Sequence, residues 1–187
     1  KQGDEVLLPD NVYGPSKDMA RTLLADWGIT HQLYDPMDAA DLARRIGPAT
    51  RLVWLEAPGS VTMEFPDLRG LIQAASDKGV PTALDNTWGA GLALPAFELG
   101  VDISMHALTK YPSGGADVLM GSVVTRDLDL HHRILMAHGR LGIGVAANDV
   151  ETLLRSLPTI ALRYHAHDAS ARQLAHFMGR QPVVKQV

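Results

Sequence analysis

Residues 52–86, LVWLEAPGSVTMEFPDLRGLIQAASDKGVPTALDN, decide the fold class. The stretch opens with the short apolar run LVWL, which is typical of a strand that is covered on both faces. Asp67 is a typical N-cap and Gly79 a typical residue just beyond a helix, so we predict a helix over residues 67–78. The apolar residues 80–84 predict another buried strand. A strand, a helix and a strand in this order indicate a parallel βαβ unit.

The same alternation extends in both directions along the chain. Further strands are predicted at residues 6–8, 29–34, 101–105 and 121–125. Further helices are predicted at residues 16–27, 38–46, 148–156 and 159–178. Strands that alternate with helices of about ten residues favour an α/β domain with three layers and a mostly parallel sheet.

The two ends suggest how this domain continues. We expect residues 1–156 to form part of a large domain and residues 157–187 to form a long helix that leads to a C-terminal domain. Residues 182–187 resemble the beginning of a strand. Since the chain starts at Lys1, without an initiator Met, we expect it to be an internal piece of a longer protein.

Composition excludes several classes of function. With 46% apolar and 20% charged residues and a net charge of −4, the chain is neither typical of a disordered protein nor basic enough to favour nucleic acid. No apolar run approaches the roughly 18 residues of a membrane span. The absence of cysteine excludes disulfides and thiolate chemistry and suits a reducing compartment, so we expect a cytoplasmic protein.

Familiar motifs of nucleotide binding, hydrolysis and metal binding are missing. The nearest approach to a dinucleotide fingerprint has Leu94 in place of the third glycine, and neither a GxxxxGK[ST] loop nor a GxSxG elbow occurs. His131 and His132 are adjacent, and His165 and His167 are two residues apart. Neither spacing puts two imidazoles on one helix face, so we predict no metal site.

Polar residues follow the predicted strands where an α/β sheet binds its ligands. Asp85 directly follows the strand 80–84, and it is either a simple strand-end carboxylate or the partner of a cationic ligand atom. Thr109 and Lys110 follow the strand 101–105 and precede a glycine-rich turn. A lysine is usually a solvated surface group, but in this setting it can also be a nucleophilic amine.

Four runs together carry a resemblance to a known family: LEAPGSVTMEFPD, ALDNTW, ALTKY and GGADVLMGSVV. They resemble the Cys/Met-metabolism family of enzymes that use pyridoxal 5'-phosphate, and most closely its bacterial cystathionine β-lyase branch. The resemblance covers residues 3–163 and implies the large domain of a fold-type I enzyme of this cofactor class.

The resemblance also implies roles for individual residues. Lys110 would bind the cofactor covalently and act in catalysis, and Asp85 would pair with the pyridine nitrogen. Thr109 would contact the phosphate. Tyr13 would stack on the cofactor ring as a second catalytic residue, and Ser60 stands where many members have an asparagine near the phenolic oxygen.

The implied reaction is β-elimination of an amino-acid thioether, with L-cystathionine giving homocysteine, pyruvate and ammonia in methionine biosynthesis. The implied assembly is a homotetramer. Ala107, Gly115 and Ala116 depart from the family pattern, which usually has serine, histidine and serine there. Three alternatives stay open: a cystathionine γ-synthase, a γ-lyase, and a non-catalytic protein or inactive piece that retains the fold.

Overall fold

A computed structural model describes all 187 residues, and its strands form one six-stranded sheet. The strands run in the order β2-β1-β3-β4-β5-β6 across the sheet. The pairings β2–β1, β1–β3, β3–β4 and β4–β5 are all parallel. The bounds are β1 Glu5–Pro9, β2 Thr30–Tyr34, β3 Thr50–Glu56, β4 Thr82–Asp85, β5 Ile103–Ala107 and β6 Gly121–Thr125.

Helices connect most of these strands and follow the last one. Their bounds are α1 Gly14–Met19, α2 Ala39–Arg45, α3 Leu68–Ser76, α4 Leu128–Leu141, α5 Ala147–Ser156 and α6 Ile160–Gly179. A π-helical turn, Ala20–Leu24, continues α1, and a 3₁₀ turn, Leu157–Thr159, joins α5 to α6. Asp67 caps α3 as predicted, because its Oδ1 accepts a hydrogen bond of 3.1 Å from the backbone N–H of Gly70.

Neighbouring side chains of β1 pack on opposite faces of the sheet. Leu7 belongs to the larger core with side chains of β3, α2 and α3, whereas Leu8 packs with Val12, Ala20 and Trp54. Successive side chains of a strand point to opposite faces, so helices cover the sheet on both sides. The predicted three-layer α/β class is therefore confirmed.

The chain divides into two compact units. Unit 1 comprises residues 1–106 and 122–144 and contains nearly all of the sheet, and unit 2 comprises residues 107–121 and 145–187. None of the helices is both long and apolar enough to cross a membrane. The predicted domain boundary at residue 156 stays a prediction.

One local prediction is wrong. Residues 182–187 form a turn and a bend rather than a strand. Val183 is 90% exposed, and no neighbouring strand offers hydrogen-bond partners to this segment. A short apolar sequence without a partner strand cannot satisfy its backbone groups in a ladder.

Candidate active site

Two buried carboxylates lie side by side at the carboxyl edge of the sheet in unit 1. Glu56 ends β3, Asp85 ends β4, and the parallel register pairs these two residues directly. Their exposed fractions are only 2% and 9%. This is the edge where parallel α/β sheets bind their ligands.

The carboxylate of Asp85 is oriented by its own loop. Its Oδ1 accepts a hydrogen bond of 3.0 Å from the backbone N–H of Thr87. His106, on the neighbouring strand β5, lies close enough to sense its charge. Burial lowers the pKa of His106 from its usual 6.5, and the charge of Asp85 opposes this decrease. Asp85 thus presents a carboxylate acceptor at the sheet edge. A partner for a cationic ligand atom must be such an acceptor.

Glu56 joins the two loops that carry Tyr13 and Ser60. Its Oε2 accepts a hydrogen bond of 3.1 Å from the backbone N–H of Tyr13, and its Oε1 accepts one of 2.8 Å from the backbone N–H of Ser60. Burial raises the pKa of the Glu56 carboxyl, the neighbouring charge of Asp85 adds to this increase, and the hydrogen bonds from Ser60 and Tyr13 oppose it.

A second polar network joins the same loops at another place. Nδ2 of the buried Asn11 donates to Oγ1 of Thr62 at 3.1 Å and to Oε2 of Glu64 at 3.2 Å. The Thr62 hydroxyl donates to the same Glu64 oxygen at 2.7 Å. A Cβ atom on Gly59 would lie 2.3 Å from Asn11 Nδ2, so only glycine permits this close approach of the two loops.

Tyr13 itself presents an available ring. Its side chain is 50% exposed, and the ring stacks on no other aromatic residue of the chain. The backbone N–H of Tyr13 is held by Glu56, so the residue is anchored while its ring stays open.

Thr109 and Lys110 lie in unit 2, in the turn that follows β5. The backbone N–H of Lys110 donates to the Ala107 carbonyl at 3.1 Å, and its carbonyl accepts from the N–H of Gly114 at 3.0 Å. The Lys110 side chain is exposed and its amine has no hydrogen bond or ion pair within the chain. The Thr109 hydroxyl donates to the Met120 carbonyl at 3.3 Å, so donation to a phosphate requires this hydroxyl to turn.

Arg163 of α6 holds this turn within unit 2. Its Nη2 donates to the carbonyls of Tyr111 at 2.8 Å and Pro112 at 3.1 Å, the two residues that follow Lys110. A Cβ atom on Gly114 would lie 2.4 Å from Arg163 Nε, and Gly114 has a φ of +72°. The guanidinium therefore packs against a turn that requires glycine at this position.

Comparison with known proteins assigns the chain to a family. The sequence model described as "Cys/Met metabolism PLP-dependent enzyme" matches residues 1–187. The chain belongs to this family. Family members use pyridoxal phosphate (PLP), which is therefore the cofactor of this protein, as the sequence resemblance implied.

Curated relatives and solved structures agree with this assignment. The chain is 34% identical to cystathionine β-lyase MetC of Bacillus subtilis over 186 residues, covering 100% of this chain and 48% of the relative. It is 34% identical to MetC of Escherichia coli over 190 residues, covering 100% and 48%. A cystathionine γ-lyase from Lactobacillus plantarum, complexed with L-serine, superposes with a TM-score of 0.96 at 27% identity, covering 100% of this chain and 49% of that one. The chain thus spans about half the length of the relatives it matches.

The residues of unit 1 and of unit 2 each fit the cofactor by their chemistry. Asp85 is a buried carboxylate suited to a protonated ring nitrogen, and the half-exposed ring of Tyr13 is suited to stacking. Lys110 has an unpaired amine suited to covalent attachment. The roles of these residues, and those of Ser60 and Thr109, stay predictions.

Glu56 and Arg163 are the residues that sequence reasoning missed. Glu56 directly follows the apolar run 52–55, as Asp85 follows 80–84, and this parallel was the available signal. No local pattern marks Arg163, because its partners Tyr111 and Pro112 are 52 and 51 residues away in the sequence.

Proposed function

We propose that the whole protein is a PLP-dependent carbon–sulfur lyase that cleaves amino-acid thioethers by β-elimination. With L-cystathionine and water, the products are homocysteine, pyruvate and ammonia. The observation that carries the proposal is Asp85, a buried carboxylate at the carboxyl end of a central parallel strand. The similarity to curated cystathionine β-lyases supports the β-elimination.

The proposal assigns a task to each candidate site residue. Lys110 holds the cofactor through its amine and, once released by the substrate, takes the α-proton as general base. Asp85 keeps the ring nitrogen protonated, and Tyr13 supports the ring by stacking. Ser60 binds near the phenolic oxygen, and Thr109 contacts the phosphate. Pyridoxal phosphate supplies the electron sink that makes the α-proton removable.

The amine of Lys110 is tested first, with the intact protein. We expect Lys110→Ala to abolish both the visible absorbance of the bound cofactor and the release of pyruvate. Lys78→Ala, which removes an exposed lysine just beyond α3, serves as the control and should preserve both. Borohydride reduction of the wild type should label the peptide that contains Lys110. If Lys110→Ala retains absorbance and activity, the amine has no part in the reaction.

The carboxylate of Asp85 is tested separately. We expect Asp85→Asn to bind the cofactor but to slow turnover by up to roughly a thousandfold. At an effective dielectric near 20, an ion pair about 4 Å long contributes about 4 kcal/mol before desolvation, which corresponds to that factor. The control is Asp77→Asn at an exposed aspartate. Normal turnover of Asp85→Asn would show that the carboxylate does not control the ring.

A γ-elimination is the second candidate, because the solved γ-lyase superposes on the entire chain with a TM-score of 0.96. The two reactions differ in their keto-acid product. L-Cystathionine gives pyruvate by the β-route and 2-oxobutyrate by the γ-route. Product analysis with the intact protein therefore decides between them. The presence of both Lys110 and Asp85 favours an enzyme over a non-catalytic relative.

We further propose that the protein acts in the cytoplasm as a homotetramer in methionine biosynthesis. The absence of cysteine suits a reducing compartment. Sedimentation of the intact protein tests the assembly, and a monomer at micromolar concentration would contradict it.

A further inference from the structure

Glu56 is an unusual buried acid. It is only 2% exposed and forms no ion pair with a lysine or arginine. Buried carboxylates are costly unless they are paired or hydrogen-bonded. Instead of a cation, Glu56 has two backbone N–H donors, one on each of its oxygens, and the Ser60 side chain adds a further hydrogen bond.

These donors come from different loops. Tyr13 follows β1, and Ser60 follows β3, and the two residues are 47 positions apart in the sequence. Each is also a residue for which the family resemblance implies contact with the cofactor ring. The same carboxylate therefore fixes the backbone position of both candidate contact residues.

The loops do not depend on Glu56 alone. Asn11 joins them independently through Thr62 and Glu64. Loss of the Glu56 carboxylate should therefore free the backbone at Tyr13 and Ser60 without separating the loops. The independent Asn11 network therefore lets an experiment distinguish a local positioning role of Glu56 from a general contribution to folding.

We propose that Glu56 is a positioning residue, whose carboxylate holds the backbone at Tyr13 and Ser60 so that the Tyr13 ring and the Ser60 hydroxyl meet the cofactor ring in a defined orientation. The inference rests on the proposed function, because it assumes that these two residues contact pyridoxal phosphate. Glu56 acts through them and does not touch the reacting atoms.

The substitution Glu56→Gln tests this with almost no change in shape. Glutamine retains one acceptor oxygen, but its amide nitrogen faces an N–H donor, so one of the two backbone hydrogen bonds is lost. Glu64→Gln is the matched control. Glu64 lies in the loop that carries Ser60, and its carboxylate accepts hydrogen bonds only from side chains.

The first measurement is amide hydrogen exchange in the cofactor-free intact protein. We expect exchange at Tyr13 or Ser60, or at both, to accelerate about 10- to 100-fold in Glu56→Gln, as the loss of a hydrogen bond to a charged group implies. Glu64→Gln should leave both amides protected. Unchanged exchange in Glu56→Gln, or equal acceleration in the control, overturns the inference.

The second measurement is made with pyridoxal phosphate itself. We expect its Kd to rise about tenfold in Glu56→Gln, and the circular dichroism of the bound cofactor to change, because this signal reports the orientation of the ring. A merely structural role would lower the melting temperature and leave that signal intact. If the wild type binds the cofactor and Glu56→Gln has the same Kd and the same circular dichroism, the inference about Glu56 fails and the proposed function stands. If the wild type binds none, the proposed function fails, and the cofactor half of the inference fails with it.

A measurement on the wild type covers the case in which Glu56→Gln does not fold. The amide proton signals of Tyr13 and Ser60 should shift with pH at one common midpoint, that of the shared Glu56 carboxyl. Asp85 and Tyr34 are the other ionisable groups whose charge couples to Glu56. Two signals that titrate at different midpoints, or not at all, overturn the inference.

Discussion

The turn that carries Lys110 should loosen when Arg163 is replaced. In unit 2 the Arg163 guanidinium donates to the carbonyls of Tyr111 at 2.8 Å and Pro112 at 3.1 Å. Its Nη1 donates to the Thr159 hydroxyl at 2.6 Å, in the 3₁₀ turn that precedes α6. Arg163→Met removes the charge and all of these donors but keeps a long apolar stem of similar reach.

The expected loss follows from these contacts. A hydrogen bond to a charged group contributes about 1.5–3 kcal/mol, and Arg163 gives two of them to the turn. Because the guanidinium is partly exposed, water compensates part of their loss, and we expect about 3 kcal/mol for the pair. This corresponds to a roughly hundredfold larger population of the open turn.

Amide hydrogen exchange of two turn residues measures this opening. The N–H of Ser113 donates to the Leu108 carbonyl and that of Gly114 to the Lys110 carbonyl, both at 3.0 Å. Both amides should exchange roughly a hundredfold faster in Arg163→Met.

The control is Arg172→Met on the same helix. Arg172 is exposed and pairs only with Asp168, one helical turn away, so its replacement should leave the turn unchanged. If Arg163→Met changes the exchange no more than Arg172→Met does, Arg163 does not hold the turn.

A double-mutant cycle adds an independent check. Gly114→Ala introduces a Cβ atom 2.4 Å from Arg163 Nε at a residue with a φ of +72°. In Arg163→Met the close contact can relax, and only the conformational cost of about 1–2 kcal/mol should remain. Equal costs in both backgrounds would show that the two residues are not coupled.

Two further predictions concern unit 1. Leu55 is fully buried in β3, so Leu55→Ala should lower the free energy of unfolding by about 2–5 kcal/mol in urea titrations, whereas a change below about 1 kcal/mol would contradict the packing of this core. Burial lowers the pKa of His106 in the folded protein, so the stability contributed by its neutral form is complete above pH 6.5 and is lost as the pH falls through the folded-state pKa. The stability of the wild type should therefore decline from about pH 7 to about pH 5 more steeply than that of His106→Asn, and parallel curves would refute this.

Local sequence patterns were sufficient for much of the fold. The apolar run 52–55 became the centre of β3, and Asp67 caps α3, because burial on both sheet faces and helix capping each depend on residues that are near in sequence. Six of the seven predicted strands were confirmed, with bounds that shift by a few residues, and only the strand expected at residues 182–187 is absent. The strand order, with β1 between β2 and β3, was not predicted, since pairing depends on how distant segments pack.

The sequence by itself determined which residues are candidates for the chemistry, and the tertiary structure decided what holds them. Asp85 and Lys110 were singled out by their residue types and their places after strands, which are local facts, and the family resemblance implied their roles. Glu56 and Arg163 were not, because Glu56 accepts a hydrogen bond from Tyr13, 43 positions away, and Arg163 donates to Tyr111, 52 positions away. Such contacts exist only once the sheet and helices have packed, since folding sets which distant backbone groups face a given side chain.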